Sequence, residues 1–109
     1  MALKWPDKNP NLKEDFSVDW SRALKTDEII SSVEWSITID NVGQTVTSAT
    51  PIFNLIPEYP TGLTHTDTVA TIRLSEGKIN RKYKIGCTIT TSLDRRLNED
   101  VYLRITEGA

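Results

Sequence analysis

The chain has one histidine and one cysteine, so nucleophilic and metal chemistry can be judged almost residue by residue. His65 is the only side chain able to serve as the base of a Ser–His–Asp triad. It stands in GLTHTDT, with Asp67 two residues on and no GxSxG elbow in the chain, and reads as a surface residue. Cys87 alternates with Tyr83, Ile85 and Ile89, the pattern of a small buried thiol rather than an activated nucleophile. A lone cysteine excludes an internal disulfide and a CxxC zinc site, and a lone histidine leaves no His-based zinc or di-iron centre. The carboxylates fall as Asp15 and Asp19, and as the adjacent pairs Asp27-Glu28 and Glu99-Asp100. Neighbours in a strand point to opposite faces, so the adjacent pairs do not converge. Asp15 and Asp19 would need another acid for a Ca²⁺ site, no DxDxDG spacing is present, and they read as solvated strand-edge charge. The 5 glycines are scattered, which leaves no phosphate-cradling loop. No catalytic residue, metal ligand or cofactor is expected.

The cations are more clustered. Lys78, Arg81, Lys82 and Lys84 surround Tyr83, and Arg95-Arg96 follow. Basic residues interleaved with an aromatic can bind single-stranded nucleic acid. Here 13 Lys+Arg face 15 Asp+Glu, a net charge of −2, and Tyr83 reads as inward-facing. No nucleic-acid partner is expected, and a complementary protein surface is the better functional reading of the cluster. Near-neutral charge also gives no polybasic reason to sit on a membrane, and no apolar run approaches the roughly 18 residues of a spanning helix. The opening MALKWPDKNP lacks an apolar h-region, so no secretory signal is expected there.

These residues must be held by strands. Of 109 residues, 31 are β-branched (14 Thr, 11 Ile, 6 Val), against 5 alanines, a composition suited to pleated surfaces. In DFSVDWS, Phe16, Val18 and Trp20 share one face. In the next segment Ile29, Ser31, Val33, Trp35, Ile37 and Ile39 do so, before a turn signal at Asp40-Asn41-Val42-Gly43. Alternation returns with Ala70, Ile72 and Leu74, then a turn at Ser75-Glu76-Gly77. It continues with Tyr83, Ile85, Cys87 and Ile89, a polar hairpin tip over 92–99, and Val101, Leu103 and Ile105. Five period-2 segments in a single-domain length predict an all-β fold: a two-sheet, Ig-like antiparallel β-sandwich over 15–109 with an extended N-terminal arm over 1–14. With one cysteine, the Ig likeness is architectural only.

Two segments escape the alternation. In the arm, Pro6 and Pro10 oppose regular pairing, and Leu3, Trp5 and Pro6 are expected to anchor on a neighbouring subunit. Residues 44–64 form a long irregular stretch in which Pro51, Pro57 and Pro60 flank the apolar island Ile52-Phe53-Asn54-Leu55-Ile56. Ile52, Phe53, Leu55 and Ile56 are expected either to add a short edge strand or to dock on a partner. Trp20 and Trp35 read as core.

The ordered words LKWPDKNP, DFSVDWSRAL, DEIISSVEWSI, GLTHTDTVATIRLSEG, YKIGCTITTS and VYLRI resemble the small phage fiber-tail adaptor proteins of tailed bacteriophages, over roughly residues 3–39 and 62–106. In two places the chain departs from that pattern: 40–61 is longer than the turn expected, and Glu76-Gly77 replaces a glycine pair. The resemblance implies a non-enzymatic virion protein with a β-sandwich fold that docks tail fibres or adhesins to the tail. It implies several copies per particle, with other virion proteins as partners (tail tube or hub, fibre, possibly capsid), and assembly in the host bacterial cytoplasm. A capsid decoration or cement protein is the alternative. A carbohydrate-binding module would need more exposed aromatics than Trp5, Tyr59 and Tyr102.

Overall fold

The computed structural model describes residues 3–108, apart from the Leu3 side chain. Nine strands form, and no helix occurs among the described residues: β1 (Leu3–Lys4), β2 (Glu14–Asp19), β3 (Ile30–Ile39), β4 (Val42–Thr45), β5 (Leu55–Pro57), β6 (Leu63–His65), β7 (Val69–Glu76), β8 (Lys82–Thr91) and β9 (Arg96–Arg104). One sheet has the order β1-β9-β8-β3-β4. The other runs β2-β7-β5, with β6 also paired to β7. The expected two-sheet sandwich is the observed one, closed by a core to which both sheets contribute.

Alternation explains which faces close. On β2, Phe16 and Val18 are buried while Asp15, Ser17 and Asp19 are exposed. Ala70, Ile72 and Leu74 of β7, and Tyr83, Ile85, Cys87 and Ile89 of β8, are fully buried. Val101 and Leu103 of β9, with Ile105 just beyond it, complete the same face. Trp20 and Trp35 are core as expected. The long sequence separations between paired strands are bridged by β8, which pairs β3 on one side and β9 on the other.

The structure changes three expectations. First, the inward face of β3 does not run back to Ile29. The pairing with β8 slips between Ile30 and Ser32, so Ile30 is buried and Ile29 is left 40% exposed. A β-bulge reverses facing by one residue, which strict alternation cannot show. Second, Asp40 and Asn41 alone make the β3–β4 turn, both at positive φ (50° and 65°), and Gly43 is already in β4 opposite Thr38. Third, the 44–64 stretch, read as irregular with at most one short strand, contains the end of β4, the whole of β5, and the start of β6.

Residues 3–8 of the expected arm lie along their own chain. β1 pairs in parallel with β9, and the pairing resumes where Lys8 bridges Ile105. The backbone N–H groups of Trp5 and Lys8 donate to the Tyr102 and Arg104 carbonyls, each at 2.9 Å.

Candidate functional site

WPDKNP is built as a latch. Trp5, Lys8 and Pro10 are buried, whereas Pro6 and Asp7 are exposed. The Trp5 ring stacks on Phe16 at 4.9 Å between centroids and lies 6.4 Å from Trp35. Its indole N–H donates to the Ser17 carbonyl of β2 at 2.9 Å. One side chain thus ties the arm, which sits on one sheet, to the edge of the other. Lys8 is completely buried, and its ammonium donates to the carbonyls of Asn9 (2.9 Å) and Glu76 (2.8 Å). Burial pushes the Lys8 ammonium below its usual range, against the opposing pull of Glu14 and Glu76. Asn9 Nδ2 then donates to the Glu107 carbonyl at 3.0 Å.

Of the residues expected to meet a partner, Trp5, Ile52 and Leu55 are therefore buried in their own chain, at 8%, 3% and 0% exposure. The reason is geometric. Ile52 and Leu55 exchange backbone hydrogen bonds of 2.8 and 3.0 Å around a tight turn in which Phe53 and Asn54 take positive φ (52° and 71°). That turn drives both aliphatic side chains inward. Pro6 is exposed, and Phe53 and Ile56 are half-buried. The Leu3 side chain lies outside the described residues.

Phe53 is held from below. The Tyr83 hydroxyl donates to the Phe53 carbonyl at 2.5 Å and accepts from the Lys78 N–H at 3.0 Å. The Phe53 ring thereby lines a cavity of about 270 Å³ with Ile39, Asp40, Val42, Asn54, Lys78 and Arg81. Its apolar members come from β3, β4 and the 52–55 turn, and its cations from the 78–81 turn. Arg81 is paired with Asp40. A second concavity, of about 210 Å³, has Lys82, Lys84 and Tyr102 with Thr38 and Asn41 among its lining residues, and the Lys82 ammonium lies 4.8 Å from the Tyr102 ring centroid. The basic stretch singled out in the sequence thus flanks both sides of one hairpin tip.

The residues with candidate chemistry lie apart from this end. His65 is exposed, its Nδ1 2.9 Å from the Thr66 carbonyl oxygen. Cys87 is fully buried, and burial pushes its thiol up to about 12, with the Trp20 indole only partly offsetting it. Among the described residues no group of three or more His, Cys, Asp and Glu stands where it can hold a metal ion.

Sequence reasoning missed one polar constellation. Glu28, in what reads as a polar connector, has a completely buried side chain. Its carboxylate accepts from Arg95 Nε at 2.8 Å, from Thr91 Oγ1 and from the Lys25 N–H. The Arg95 guanidinium, ahead of the other contacts, holds the Glu28 carboxyl down at about 2. Arg95 also donates to the Ala23 carbonyl at 3.0 Å, so the pair staples the β2–β3 connector to the β8–β9 hairpin.

The fold and these surfaces define a small β-sandwich module whose notable features are strand edges, a latched arm and a cationic apolar end. The chain belongs to the podophage GP4 fiber-tail adaptor protein gp77 family, whose family model matches residues 8–104. It is thus a structural protein of a phage tail. No curated protein matches the chain.

Proposed function

We propose that the protein is a non-enzymatic adaptor of the virion that docks tail fibres or adhesins to the tail of a tailed phage, in several copies per particle. The observation that carries this reading is the family match over residues 8–104, which takes in every strand but β1. A module of this kind acts through surfaces, and its contacts with other tail proteins are assigned to the accessible residues of the expected set: Pro6, Phe53 and Ile56. Assembly takes place in the host bacterial cytoplasm, where a free, buried Cys87 suits a reducing compartment.

The test is deletion of the gene from the phage. Particles made without the protein should carry filled heads and tails but lack fibres, and the purified protein added back should restore them. Particles that keep their fibres, or that lose head integrity instead, would sink the adaptor reading, the second outcome in favour of a head-stabilising role.

A further inference from the structure

Sheet edges invite pairing with other chains, and native proteins blunt them with charge, proline or brevity. Three edges of this sandwich are blunted. The β1 edge is two residues long and is followed by Pro6 and Pro10. β2 carries exposed Asp15 and Asp19, and its Ser17 carbonyl is taken by Trp5. β5 and β6 are three residues each, and β5 ends on Pro57. The fourth edge is open. β4 reads Val-Gly-Gln-Thr, carries neither charge nor proline, is exposed at all four positions and pairs only with β3.

Register shows which groups this edge offers. Ile39 opposes Val42 across the two-residue turn, and the Val46 N–H donates to the Trp35 carbonyl at 2.8 Å. Hydrogen-bonded and non-bonded pairs alternate in an antiparallel ladder. Val42, Gln44 and Val46 therefore turn their backbone groups to β3, and Gly43 and Thr45 turn theirs outward. At the Val42 end of this edge lies the cavity walled by Ile39, Val42 and Phe53, with Lys78 and Arg81 on its rim. Val42 is 59% exposed and Ile79, beside Lys78, 39% exposed.

From these features we infer that β4 is the docking edge: an extended segment of another virion protein adds to it as a strand, sets an apolar side chain against Ile39, Val42 and Phe53, and places a carboxylate at Lys78. This rests on the adaptor reading and adds to it the edge and the chemistry of the partner. Charge chooses the occupant. Lys78, Arg81, Lys82 and Lys84 crowd the hairpin tip of a chain whose net charge is −2, and Asp40 answers only Arg81. A second copy fits less well. Antiparallel pairing of β4 with its own copy brings the copy's residues from Thr45 onward to Lys78, and 45–50 contain no carboxylate.

The experiment uses the full chain and, as probe, phage particles assembled without it. Wild-type protein, Thr45→Pro and Lys78→Glu are compared for cosedimentation with those particles, after thermal melting shows each folded. Thr45→Pro removes an outward N–H and leaves the β3 ladder intact; Lys78→Glu changes only an exposed side chain. Both should bind at least tenfold more weakly than wild type. Raising the salt should weaken wild-type binding, and amides of 42–46 should exchange more slowly in the bound protein. Equal binding by both variants, with no slowing at 42–46, overturns the proposal while leaving the adaptor reading standing. Loss with Thr45→Pro alone overturns the acidic partner. A wild-type dimer in sedimentation that Thr45→Pro dissolves makes a second copy the occupant and overturns it also. Wild-type protein that does not bind such particles at all removes the adaptor reading itself.

Discussion

Trp35 shows what one residue contributes here. It is 1% exposed and within ring-contact distance of Trp5, so Trp35→Ala removes both apolar burial and an aromatic neighbour. The loss should be about 3–5 kcal/mol out of the roughly 5–15 kcal/mol typical of a small domain. Urea denaturation measures it, and a loss below about 1 kcal/mol would contradict the core placement. Glu28 makes a prediction of a different kind. Its carboxyl is held at about 2, against an ordinary value of 4.5. The unfolded chain therefore takes up the proton first as pH falls, and the stabilisation, complete above 4.5, is lost progressively towards 2. Glu28→Gln should be less stable than wild type at neutral pH, and the gap should narrow over that acid window. Denaturation curves at stepped pH test this, and a gap independent of pH would refute it. Asp15 and Glu58, held low by Arg73, and Asp19, held low by the Ser21 N–H, contribute in the same direction. Alternation made Trp35 legible from the sequence because Val33, Ile37 and Ile39, at even spacing from it, are apolar. Glu28 was illegible for the opposite reason: its partner Arg95 is 67 residues away, and nothing local marks a carboxylate for burial.

At the scale of elements, the arm carries the largest revision. Its partner strand lies at the other end of the chain, and its buried positions, 5, 8 and 10, follow neither strand nor helix spacing. An arm awaiting a neighbouring subunit would be removable without harm to the domain. The latch formed by Trp5 and Lys8 makes the opposite prediction. Deleting residues 1–10 should cost at least the about 3–5 kcal/mol of a large aromatic truncation and leave β2 without its Trp5 contact. Chemical denaturation of the deleted chain decides between them, since an unchanged midpoint is expected only of a detached arm. The 44–64 stretch was half legible. Its apolar island and prolines signalled a short edge strand, and β5, which pairs with β7, is that strand. The inward turn of Ile52 and Leu55 depends on positive φ at Phe53, a conformation that a large aromatic rarely adopts and that sequence therefore does not advertise.

For the molecule as a whole, stability should be graded across the sheet. β8 has strand neighbours on both sides and buries Tyr83, Ile85, Cys87 and Ile89 completely, whereas β4 is exposed throughout. Native-state hydrogen exchange should be slowest in β8 and the facing part of β3, and fastest in β4 and in 47–51. Protection of β4 equal to that of β8 in the isolated protein would mean that its edge is already occupied. Such grading fits a module that keeps a rigid centre and offers its periphery.

The parallel pairing of β1 with β9 also orders events during synthesis. β9 and the two residues after it leave the ribosome after β1 through β8, yet they supply backbone partners of Leu3, Lys4 and Lys8. Until they arrive, the first strand has no ladder to join, and Trp5 has no fixed backbone from which to reach Ser17. A chain interrupted before residue 96 keeps that tryptophan unplaced, so closure of the arm reports that translation has run through the last strand.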